Sequence, residues 1–181
     1  MFKNHIPLFN LFGFKVGLDI TWFILAILIT WSLAKGLFPM YFEGFATSTY
    51  WWMGVAGTLG LFISIVLHEF SHSMVAKRFG LPIKGITLFI FGGVAEMEEE
   101  PVSPKSEFFM AIAGPISSFV IAGIFFLILH GGNILDWPGP VTGVLTYLIW
   151  LNVILAVFNL VPAFPLDGGR VLRSILWAAK K

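Results

Sequence analysis

The sequence predicts an all-α membrane bundle of about four transmembrane helices, with a small β-strand region on the cytoplasmic side between the second and third. Three observations carry that expectation. Of 181 residues, 57% are hydrophobic and only 12% charged, whereas soluble domains carry about 25% charged residues. A soluble fold this small leaves too much surface exposed to hide such a composition. Four apolar stretches are long enough to cross a bilayer, which takes about 17–25 helical residues. The basic residues, finally, gather on alternate sides of those stretches.

Taken in order, the spans are Leu18–Ala34, Trp51–Ala76, Phe108–Leu129 and Val141–Val161. The first is not a cleavable signal peptide: it lacks a small-residue cleavage site, and Asp19 and Lys35 bracket it like the ends of a stable span. Val171–Ala179 is apolar but too brief to span. Lys3 and Lys15 precede the first span, Lys35 alone follows it, and Lys77, Arg78, Lys84 and Lys105 lie between the second and third. No Lys or Arg separates the third from the fourth; Arg170, Arg173, Lys180 and Lys181 come after. Alternate sides therefore carry ten basic residues and one. Under the positive-inside rule both termini and the loop between the second and third spans are cytoplasmic, in a multi-pass protein of the cell membrane. Trp51, Trp52 and Trp137 fit interfacial anchors.

The loop Leu81–Glu107 is the one sizeable extramembrane piece. Ile86–Phe91, followed by Gly92-Gly93, is β-rich and reads as one or two strands, with an exposed edge on which an extended segment could pair. Glu96, Glu98, Glu99 and Glu100 with Pro101 and Pro104 read as a solvated turn. With no cysteine, disulfide frameworks, thiol catalysis and thiolate metal sites are excluded. A net charge of +1 implies no polyanionic partner, and so no nucleic acid.

The second span contains His68-Glu69-Phe70-Ser71-His72. An ionisable group at the centre of a membrane helix costs about 2.5–3.5 kcal/mol on insertion scales, so three within five residues need a shared explanation. Residues i and i+4 share a helix face, and both imidazoles can point at one ion. Zinc accepts neutral imidazole nitrogens and, in catalytic sites, three protein ligands. Glu69 is rotated about 100° from His68, off the ligand face but within reach of a water. The pattern is HExxH, two ligands and a general base.

A third ligand must come from the cytoplasmic half of another span, because His68 and His72 lie about 13 Å and 7 Å from the Lys77 end by helix rise. The acids within or next to spans are Asp19, Glu43, Glu107, Asp136 and Asp167, of which Asp136 and Glu43 are on the wrong side. Asp167 is at the right end, after Pro162 and Pro165 have stopped regular helix and before Gly168-Gly169 let the chain turn. Asp167 is the expected third ligand; the competing reading is a cap for the short helix after it. Asn152 reads as interhelical glue. Asn159 offers an amide near the same end, either for the reaction or for an interhelical hydrogen bond.

His68–His72 followed by Asn159…Pro162…Pro165-Leu166-Asp167-Gly168 resembles the site-2 protease family of intramembrane zinc metalloproteases. Gly92-Gly93, Ala113-Gly114-Pro115 and the strand region fit the same family, and Phe14-Lys15-Val16-Gly17…Trp22 is similar to its CBS-domain-associated members. The resemblance runs from about Phe12 to Arg173. It implies one Zn2+ held by His68, His72 and Asp167, Glu69 as base, and a substrate- or oxyanion-binding role for Asn159. It further implies hydrolysis of a peptide bond within the transmembrane segment of a membrane-protein substrate. Residues 1–181 then form a single transmembrane metalloprotease core domain. Family members usually continue with further membrane helices, often with a CBS pair, so the sequence corresponds either to a core region or to a minimal form. Two rival readings make different demands on the sequence. A prenyl-protein-processing type of HExxH protease needs a later Glu ligand, and the sequence offers only Glu96–Glu100 and Glu107. A non-catalytic membrane metal-binding or metal-transport protein has no need of Glu69 as a base.

Overall fold

The computed structural model describes residues 5–11, 13–89, 92–97 and 101–180. A hairpin of β1 (His5–Leu11) and β2 (Phe14–Asp19) leads into α1 (Thr21–Ser32). Asp19 Oδ1 ties off the start of α1 by accepting from the Thr21 backbone N–H at 2.9 Å and from its hydroxyl at 2.7 Å. A π-helical turn, Leu33–Leu37, joins α1 to α2 (Phe38–Tyr41) as one continuous apolar rod. Then follow α3 (Thr47–Arg78), β3 (Ile83–Phe89), β4 (Gly92–Met97), α4 (Pro104–Ile134), α5 (Gly139–Asn159) and α6 (Asp167–Ala179).

Among the described residues, four helices are long and apolar enough to cross a membrane: Thr21–Tyr41, Thr47–Arg78, Pro104–Ile134 and Gly139–Asn159. The expected bundle with strands between its second and third members is thus borne out. The first span starts at Thr21 rather than Leu18, because Leu18 continues the buried strand face of Phe14 and Val16 instead of beginning the helix. It also runs on past Lys35 to Tyr41.

The sheet is larger than the sequence suggests. Its order is β1-β2-β3-β4, with β1–β2 and β3–β4 antiparallel and β2–β3 parallel. Lys15–Leu18 pair with Gly85–Leu88, while Ile83–Phe89 pair on their other side with Gly92–Met97. This corrects the expectation that Ile86–Phe91 presents a free edge. As far as the strand is described both its edges are taken, and the outer strands are β1 and β4; Ile90, Phe91 and Glu98–Glu100 lie outside the described residues. Phe14 meets Phe70 of α3 edge-on at 5.8 Å, and Val16, Leu18, Trp22 and Val66 form one apolar cluster. Sheet, first span and α3 are thereby joined.

The bundle is polar within and apolar without. Thr58, Ser64, His68 and Ser73 of α3, Ser118 of α4 and Asn152 of α5 are buried, while Ile27, Leu127 and Ile154 are each more than 60% exposed. Lipid solvates the outer face as well as a protein core does, so buried hydrogen bonds take over the work of holding helices in register. Thr30 and Thr58 hydroxyls meet at 2.8 Å between α1 and α3. Asn152 Nδ2 donates to Ser64 Oγ at 2.9 Å, the interhelical role expected of it.

Candidate metal centre

His68 and His72 stand on successive turns of α3 with ring centroids 4.8 Å apart. The helix sets that pairing, and α4 sets the direction of each ring. His72 Nδ1 donates to the Met110 carbonyl at 2.7 Å. A carbonyl only accepts, so this bond keeps a proton on Nδ1 and, in the neutral ring, leaves the Nε2 lone pair facing the site. His68 Nδ1 pairs with Ser118 Oγ at 2.9 Å and holds that ring in the same sense. Such outer partners orient metal-binding imidazoles.

The acid arrives from the other side. Asp167 Oδ2 lies 3.1 Å from His68 Nε2 and 3.2 Å from His72 Nε2. It occupies the first turn of α6, with Leu166 as N-cap and no side-chain cap bond, so the capping reading of Asp167 is set aside. The helix N-terminus is a favourable place for the anion.

Gly168 explains how the chain delivers it: a Cβ there would overlap the carbonyl oxygens of Leu160 and Val161 at the end of α5. Pro162 and Pro165 stand in the intervening irregular stretch, as the sequence suggested. Gly114 provides the matching space on α4, since a Cβ would run into His72 Nε2 and stand 2.5 Å from His68 Nε2.

The donor set suits a divalent ion such as zinc. One ligand atom from each of His68, His72 and Asp167 falls within 4.8 Å of the others. Zinc–ligand bonds of about 2.0–2.2 Å at tetrahedral angles put neighbouring ligand atoms about 3.3 Å apart, close to the two observed nitrogen–oxygen separations.

Glu69 is half-buried and lies within electrostatic range of His72, Asp167 and Arg170. Asn159 is half-buried at the end of α5, and its Nδ2 donates to Leu155 in its own helix at 2.8 Å. Of the residues singled out from sequence, His68, His72 and Asp167 are therefore brought into contact, Glu69 adjoins them, and Asn159 makes its described bond within α5. Sequence reading missed the support that α4 gives the histidines: Ser118 and Met110 were not singled out, and Gly114 was given no place beside the imidazoles. Glu107, Met110, Gly114 and Ser118 recur at intervals of three and four residues and form one buried stripe. That periodicity is visible in the sequence, but the small and polar residues in it point to no chemistry until α3 is placed opposite.

The profile of Peptidase family M50 matches residues 56–136 and 132–181. Zinc metalloprotease MJ0392 of Methanocaldococcus jannaschii is 41% identical over 174 residues, covering 94% of this chain and 45% of that protein. The Synechocystis protein sll0528 is 40% identical over 177 residues, covering 97% and 45% respectively. The chain thus spans less than half the length of these relatives. Among solved structures, the site-2 protease from Methanocaldococcus jannaschii matches with a TM-score of 0.66 and 35% identity, covering 98% of this chain and 73% of that one.

Proposed function

The chain belongs to Peptidase family M50, the site-2 protease family, and on that premise we propose that it is a zinc-dependent intramembrane endopeptidase cleaving transmembrane segments of membrane-protein substrates, as in regulated intramembrane proteolysis. His68, His72 and Asp167 hold the zinc, and Glu69 is the general base. The observation that carries the reading is the approach of Asp167 to both imidazoles across the α3–α6 junction.

Zinc bound by these three residues supplies a Lewis acid for the scissile carbonyl and activates water for attack. Glu69, one residue on from His68, takes the proton of the attacking water and returns it to the leaving amine. His68 and His72 keep their rings fixed through Ser118 and Met110, so no reorganisation is needed as charge develops. Asn159 Nδ2 has a second hydrogen beyond its bond to Leu155 and is the candidate donor to the substrate or its oxyanion.

Residues 1–181 act as a single core domain in the cell membrane. Both termini and the opening of the site are cytoplasmic, supported by the basic residues gathered at the sheet-bearing end and after the fourth span. Glu69→Gln, assayed in a bilayer with a model transmembrane substrate, tests the assignment. The expected result is full zinc content with cleavage lost. Cleavage at the normal rate removes the base, and metal transport that survives the change favours the non-catalytic alternative.

A further inference from the structure

At the cytoplasm-assigned end of α4, Glu107 is fully buried. Its Oε1 receives two donors from Arg173 of α6, Nε at 2.6 Å and Nη2 at 2.5 Å. Its other oxygen, Oε2, is buried with no hydrogen-bond partner among the described residues. A carboxylate withdrawn from water in this way is costly, and removing its partner costs more than the pair contributes to stability. The placement gives it a use. Arg173 stands six residues after Asp167 on the same short helix, whose packing runs along α4. Glu107 in turn lies on the stripe of α4 that bears Met110, Gly114 and Ser118, the three positions that meet His72 and His68.

We propose that the Glu107–Arg173 pair is a latch that sets α6 in register along α4 and so holds the Asp167 carboxylate opposite the two histidines. Glu107 and Arg173 are positioning residues that touch neither the ion nor the substrate. The inference rests on the metal-site reading above. α4 then serves as a single ruler for all three ligands: Ser118 for His68, the Met110 carbonyl for His72, and Glu107, through Arg173, for Asp167. The arginine fork suits this task because two donors on one rigid plane fix direction as well as distance.

The test uses the full chain in lipid nanodiscs, with zinc affinity measured by chelator competition. Because the chain has no cysteine, spin labels can be placed cleanly at F119C on α4 and L176C on α6, both exposed positions. Their distance distribution is read by pulsed electron resonance without metal. R173Q changes a side chain that is 40% exposed but leaves the buried Glu107 without its partner, so thermal stability is expected to fall, and E107Q, which removes the buried charge itself, is read beside it.

R173Q is expected to broaden the α4–α6 distance distribution and weaken zinc binding about tenfold or more, the range seen for outer-shell partners of metal ligands. E107Q is expected to do the same, and R173K to recover part of both effects. An unchanged distribution, or a broadened one with wild-type zinc affinity, overturns the latch; so does a loss of thermal stability alone. H68A separates the two levels of argument. If H68A still binds zinc as wild type does, the metal-site reading fails, whereas zinc lost in H68A and retained in R173Q fails the latch only.

Discussion

His68 and His72 reach the ligand site from successive turns of one unbroken helix, whereas Asp167 reaches it from the stretch where α5 has ended and α6 is only beginning. The first arrangement is local. Four residues of helix place two side chains on one face whatever else the chain does. The second is tertiary. Asp167 is where it is because Gly168 lets α6 start against the carbonyls of Leu160 and Val161, and because α6 lies along α4. A ligand pair written into helical spacing tolerates changes in its surroundings, and a ligand delivered by packing inherits every error in that packing.

Substitutions can break or sharpen this contrast. The largest effect is expected for H72A, which removes one of the three proposed ligands: zinc should fall to background by elemental analysis of purified protein, with helical content unchanged by circular dichroism. G168A acts on the packed half alone. Its Cβ would meet backbone, which cannot swing aside, so overpacking of about 1–3 kcal/mol should appear as a lowered thermal midpoint. Zinc affinity should drop with it, by about 10–100-fold if Asp167 is displaced as an outer-shell change would displace it. Wild-type affinity in G168A would mean that Asp167 does not depend on the packing of α6 against α5. S118A is expected to be smallest, about a tenfold loss of zinc affinity at the lower end of the same range. It loosens His68 without moving α3, and a Co2+-substituted sample should show altered visible bands from a ring no longer held at Nδ1.

The same contrast accounts for what could be read in advance. The HExxH pair was legible because its chemistry follows from one helix and the cost of charge in an apolar span. Asp167 was legible because, among the acids that topology leaves at the correct end, it sits where Pro162 and Pro165 break the helix and Gly168-Gly169 let the chain turn. The partners of the imidazoles were not legible. Ser118 and the Met110 carbonyl become relevant only when α4 is placed beside α3, and a backbone carbonyl leaves no mark in a sequence at all.

The N-terminal hairpin escaped for a related reason. Phe14, Val16 and Leu18 are as apolar as the start of a span, and their alternation acquires meaning through β3, far along the chain. The free edge expected of Ile86–Phe91 failed on the same point, because β2 occupies one side of that strand and β4 the other.

The parallel pairing of β2 with β3 has one more consequence, which concerns parity. Strands that share hydrogen bonds must sit on one side of the bilayer, so the polypeptide between them traverses it an even number of times. With Thr21–Tyr41 and Thr47–Arg78 as the intervening rods, the ladder can close only after one has gone across and the other has come back. A chain whose first rod fails to insert leaves β2 and β3 on opposite sides, and the hairpin remains unzipped. The ladder thus works as a built-in checksum on how the first half of the protein was threaded.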